Sequence, residues 1–274
     1  MHSTAFRISL TIIIILITLL PTTSYAFNKA GHQTIASLSY RLLDDNGKQY
    51  LKELLGSNAR QEWTASAYWP AEQAKNKGQE WRIPLHRIWF SENDSAFNPD
   101  QHCPFNSCSV GAILESRQIL LKPEFTKQYK RQAIKYLSHY IGDAHQPTNC
   151  GFLRDEGGRL ILLKTPDLTR VNLHWVWEDG LIQLHGQNWS QLSSSIRLKI
   201  DMDQIANWQA ETSPETWGWQ CHQVAKTIAY PLAETGKWGM AYYKEAWPTY
   251  ETQLLKAASR VAATVNELAK EVRQ

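Results

Sequence analysis

Two histidines in this chain each stand four residues ahead of an acid: His139 and Asp143 in "HYIGD", and His174 and Glu178 in "HWVWE". On an α-helix that spacing puts both side chains on one face, about one turn apart. An imidazole and a carboxylate so placed can share one divalent ion or serve two adjacent ones. His32 and His86 stand alone in the sequence. A lone histidine is more often a packed or surface residue than a ligand, and a His/acid pair can be an ordinary surface ion pair. Two such pairs with two further histidines in one chain make a metal centre the stronger reading.

The first 26 residues read as a secretory signal. Arg7 precedes the apolar run "ISLTIIIILITLL", and small residues in "SYA" mark a cleavage point before Phe27. No later segment is apolar for long enough to span a bilayer. The expectation is therefore an exported protein, secreted or periplasmic, with no stable membrane anchor. Cleavage leaves 248 of the 274 residues and places His32 five residues beyond the new terminus. A free α-amino group has a pKa near ~8, so its lone pair is available near neutrality at small cost. Amine and carbonyl of Phe27 form a compact chelate that His32 is near enough to join.

The elements that must position these groups read as helices. Ile35, Leu38 and Leu42 recur at helical spacing after His32, and Leu254, Ala258, Val261, Val265 and Leu268 form one apolar stripe near the end of the chain. Tyr129, Ala133, Tyr136 or Leu137, and Tyr140 mark a helix over residues 124–143 that must stop before Pro147. Between Gly151 and Asn172 a Gly-Gly pair, the β-prone "RLILL" and a proline favour a loop or short hairpin. With no repeat and no linker, residues 27–274 read as one mostly helical domain, expected to be a monomer. The twelve tryptophans fit helix packing. A formal charge of +3 over the whole chain carries no signature of nucleic-acid or membrane partners. Four cysteines in an oxidising compartment make disulfides the default. Cys103 and Cys108 enclose four residues, which leaves Cys150 and Cys221 to pair with each other, if they pair at all.

In their order, Gly31-His32, His86, "HYIGDAHQP", "DEGGR" and "NLHWVW" resemble the zinc-dependent single-strand-specific nucleases and 3′-nucleotidases. The cysteine pair before "SVGAI" and the final "QLLKAASRVAATVNEL" extend that resemblance over the whole mature chain. It implies an all-α fold of the zinc phospholipase C and single-strand nuclease type. It also implies up to three zinc ions, with single-stranded DNA or RNA and 3′-nucleotides as substrates. Carried over by position, Phe27, His32 and Asp143 hold one ion, and His86, His139 and Asp143 a second. His174 and Glu178 fall to the third. The implied reaction is phosphodiester hydrolysis by a hydroxide bridging two ions, with Asp143 between them.

This chain departs from the pattern at several places. The first mature residue is Phe27 in place of tryptophan. Where an aspartate normally serves the second ion, "YWPAEQAK" has Ala71, with Glu72 one residue later. Lys75 follows Glu72 by three, as an arginine often follows that aspartate, so Glu72 is a candidate ligand and Lys75 a candidate catalytic cation. Asn149 stands where a histidine ligand is usual, and an amide oxygen is a poorer zinc ligand than imidazole. Cys150 beside it would be a strong ligand as thiolate; its alternative is the disulfide to Cys221. Glu178 replaces an aspartate, as in the zinc phospholipases C. Arg87 stands where an aromatic residue is common. The alternatives to a nuclease are therefore a phospholipase C, or a non-catalytic relative with an impaired third site.

Overall fold

The computed structural model describes residues 27–273; the expected export signal lies outside the described residues. Among them no helix is long and apolar enough to cross a membrane. The last helix, Met240–Glu271, is the spine of the molecule. Its stripe of Leu254, Ala258, Val261, Val265 and Leu268 is fully buried. It packs against the first helix, Lys29–Leu42, and against Asp45–Leu55, Lys127–Asp143 and Met202–Ala210. Burial of that stripe, roughly 1.5–3 kcal/mol for each large side chain, is what holds the helices side by side.

The helix Lys127–Asp143 starts where Thr126 accepts a hydrogen bond from the Tyr129 amide, later than the spacing alone predicts. Tyr129 accordingly falls in the first turn and stays exposed, whereas Ala133, Leu137 and Tyr140 are buried. The helix ends at Asp143, four residues before Pro147, as that proline requires. Its partner Ser109–Leu121 lies alongside.

The only strands among the described residues are Leu162–Lys164 and Arg170–Asn172, an antiparallel pair in which Leu163 faces Val171. This is the short hairpin expected between Gly151 and Asn172, and it delivers the chain directly into "LHW". Both expected disulfides are present, Cys103–Cys108 and Cys150–Cys221, and the described residues hold no free cysteine. Cys150 is thereby committed to sulfur and not to a metal. Arg260 of the last helix, almost fully buried, donates to His145 Nε2 at 2.8 Å and to Gln220 Oε1 at 2.7 Å. It ties the spine to the turn that follows Asp143.

Candidate metal centre

The first helix brings His32 to Asp143 through two glycines that allow close approach. A Cβ at Gly31 would lie 2.8 Å from Phe27 Cβ, so glycine lets Phe27 fold back over the helix start. A Cβ at Gly142 would lie 3.0 Å from the His32 ring, so glycine lets that imidazole reach the neighbouring Asp143. Asn28 caps the helix by accepting from the Gly31 amide, donates from its side chain to Asp179, and donates its own N–H to the Glu178 carbonyl. Phe27 is fully buried, edge-on to Tyr250 with ring centroids 5.2 Å apart. The N-terminal residues are thus clamped to the Glu178 segment.

Around Asp143 three histidines converge. Its Oδ2 lies 2.8 Å from His86 Nδ1 and 3.5 Å from His139 Nε2, and its Oδ1 lies 3.3 Å from His32 Nε2. His139 Nδ1 donates to the Ala67 carbonyl at 2.8 Å, which leaves the Nε2 lone pair pointing into the cluster. The His32 and His139 rings stack at 3.8 Å. His32, His139 and Asp143 each offer a ligand atom within 4.8 Å of the others. All four residues are at most 3% exposed.

The donor set fits zinc. Burial depresses all three histidines, His139 to about 3, and for His32 the neighbouring His139 and His86 add to it. The rings are therefore neutral, with lone pairs to give. Burial first and Glu178 second push the Asp143 carboxyl well above its usual range, a strain that a divalent cation would relieve. His32 Nε2 and Asp143 Oδ1 are both buried and complete no hydrogen bond among the described residues. Imidazole nitrogens with one carboxylate are ordinary zinc ligands.

The second His/acid pair is built differently. Between His174 and Gly180 the helix Leu173–Trp175 runs on into a wider i→i+5 turn, Val176–Gly180. His174 Nδ1 donates to the Gly157 carbonyl at 3.0 Å, and its Nε2 lies 3.9 Å from Glu178 Oε2. Both are buried, and the turn Pro147–Cys150 that carries Asn149 packs against them. Into this pair comes a residue that sequence reasoning missed: Arg159 Nη2 donates to His174 Nε2 at 3.0 Å. "DEGGR" was visible as a motif, but nothing in it signals which way its arginine turns.

Glu72 and Lys75 lie on the exposed side of the short helix Trp69–Ala74 and at its end. The Glu72 carboxylate is half exposed and 3.9 Å from Lys29 Nζ, while Ala71 takes the buried position. The structure does not bring Glu72 into the group formed by His32, His139 and Asp143. Lys75 Nζ stands 5.7 Å from the Tyr68 ring, which in turn lies 6.0 Å from His32 and 6.1 Å from His139. Partly exposed Tyr68 therefore sits at the mouth of the cluster, another residue without a sequence signal beyond being aromatic. Arg87, the departure beside His86, lies over Trp89 at 4.0 Å.

The S1/P1 Nuclease family matches residues 27–270. Relatives include Endonuclease 3 of Arabidopsis thaliana, 24% identical over 274 residues and covering 93% of each chain. Nuclease P1 of Penicillium citrinum is 24% identical over 265 residues, covering 87% of this chain and 96% of that one. Nuclease S1 of Aspergillus oryzae is 22% identical over 269 residues, covering 90% and 93%. A match that runs from the residue ahead of the Asn28 cap to the end of the spine helix embraces the fold and the whole His/Asp cluster, and the chain belongs to the S1/P1 nuclease family.

Proposed function

We propose that this protein is an exported, zinc-dependent nuclease that hydrolyses phosphodiester bonds in single-stranded DNA or RNA and removes phosphate from 3′-nucleotides. The observation that carries the reading is the convergence of His32, His86 and His139 on the two oxygens of Asp143 in a fully buried site. Family membership and the names of the relatives, endonucleases and nucleases, point the same way.

In this reading His32, with the amino group and carbonyl of Phe27, would hold one ion, and His86 and His139 would hold a second. When bound, zinc supplies Lewis acidity toward the phosphoryl group and makes water a nucleophile near neutral pH. Asp143 turns one oxygen toward each histidine group, so one carboxylate serves both halves of the site. The Ala67 carbonyl fixes the tautomer and ring angle of His139. Phe27, Tyr68 and Tyr250 exclude bulk water on the first-helix side, which strengthens every charge interaction within. Lys75, exposed beside Tyr68, adds positive charge where a phosphate backbone would approach. Export and cleavage before Phe27 complete the site by creating its amino group.

The test is zinc per chain, with nucleotide release from denatured DNA and from RNA, on exported protein whose N-terminus is shown to be Phe27. Zinc together with release supports the reading. A protein that binds no zinc, or binds it and leaves both substrates intact, overturns it.

A further inference from the structure

The His174/Glu178 pair would be a third metal clamp by its spacing, yet its geometry is that of an occupied site. The Gly157 carbonyl only accepts, so His174 Nδ1 carries the proton and the single lone pair of the ring is at Nε2. That lone pair already accepts from Arg159 Nη2 at 3.0 Å. A zinc ion on the imidazole would need the same lone pair. Glu178 Oε2, 3.9 Å from the same Nε2 and 3% exposed, lies beside this contact. Asn149, also buried, offers an amide where imidazole would be the stronger ligand, and its Nδ2 completes no hydrogen bond among the described residues. The donor set does not fit a zinc ion; it fits a guanidinium.

Arg159 is held there by covalent and local means. Gly157 and Gly158 both have positive φ, +68° and +85°, which turns the chain back on itself. The Gly158 amide donates to Asp155 Oδ1, itself bonded by the Tyr230 hydroxyl at 2.6 Å. Arg159 Nη1 then donates to the Glu156 carbonyl at 2.9 Å. Arginine keeps its proton in proteins, so Arg159 is a cation at neutral pH.

We infer that Arg159 replaces the third metal ion of this site: a fixed cation that binds substrate phosphate at the His174/Glu178 pair. This rests on the zinc nuclease reading above. A guanidinium is a planar donor suited to phosphate oxygens and needs no metal supply. It offers no Lewis acid and no activated water, so nucleophile formation falls to the Asp143 cluster alone.

Two measurements test this. In zinc-loaded wild-type crystals, anomalous scattering at the zinc edge should show density at Asp143 and none on His174 Nε2; a zinc peak on His174 overturns the inference. No peak at either place overturns the zinc reading itself and this inference with it. In solution, the double variant Arg159→Asn with Asn149→His, desalted after loading, should hold one more zinc per chain than wild type. Equal zinc in a variant with wild-type circular dichroism overturns the inference. Arg159→Lys, which keeps a cation, should match the wild-type zinc content; a gain of one ion there would show that bulk charge at this position does not exclude metal, and would overturn it too.

Discussion

The carboxylate of Asp143 lies 2.8 Å from the imidazole of His86, although 57 residues of chain separate them. The same carboxylate lies 3.3 Å from His32 on its other oxygen. Replacing it with a neutral amide of equal size should remove both ligands at once. We expect Asp143→Asn to lose zinc and at least ~100-fold in kcat/KM. Because burial already disfavours the charge, the metal-free variant should melt no lower than metal-free wild type. Wild-type zinc content and rate in this variant would remove Asp143 from the centre.

Phe27 is buried and the next residue is pinned to Glu178 and Asp179. An extra alanine before Phe27 keeps an α-amino group but moves it one residue away, with the anchor unchanged. Zinc per chain should fall by about one ion, measured by elemental analysis, while thermal stability of the metal-free protein is unaltered. Unchanged zinc would mean that the terminus is not a ligand.

Gly157 adopts φ +68°, and a Cβ there would lie 2.2 Å from the Thr148 carbonyl oxygen and 2.8 Å from Trp89 Nε1. Gly56 also has positive φ, +97°, but open space around it. The two glycines therefore separate backbone cost from steric cost within one chain. Gly56→Ala carries the backbone cost alone, about 2 kcal/mol for φ +97° with an extended ψ. Gly157→Ala should cost at least ~3 kcal/mol, because backbone must also move. Thermal or urea melts of the two variants read the difference, and equal losses would contradict the packing around the Gly-Gly turn.

Lys256 is lowered to about 8, chiefly by burial and then by Arg260. The unfolded chain holds that proton more tightly, with a pKa near ~10.4, so between roughly pH 8 and 9.5 the unfolded state binds more protons. Stability from this group therefore rises as pH rises through that window. Tyr50, raised to about 12 by burial, acts in the opposite sense, but only once an unfolded tyrosine begins to ionise near pH ~10. Urea melts at pH 8 and 9.5 should show the rise in wild type and a flatter profile in Lys256→Met; identical slopes would place the pH dependence elsewhere.

Local regularities of this chain were legible before any fold was known. The His139/Asp143 and His174/Glu178 pairs depend only on helical spacing, and the stripe from Leu254 to Leu268 only on periodicity. The short hairpin was readable from Gly-Gly, β-prone and proline residues, and the two disulfides from loop length and compartment. Each of these is a relation between residues a few positions apart, or between the only partners available.

What tertiary structure alone decided lies at longer range or hangs on rotation about a helix. Moving one position, from Ala71 to Glu72, turns a side chain by about 100° on a helix of 3.6 residues per turn. That turn takes the carboxylate from the buried face out to Lys29. His32 reaches Asp143 only because the spine helix and Gly142 let the first helix come close, and His86 arrives from a separate segment of chain. Above all, the lone pair of His174 belongs to Arg159, fifteen residues away along the chain. Spacing can say that two groups are able to hold an ion. Only packing says whether something else already sits between them, since a buried site accommodates one cation and the fold supplies its own.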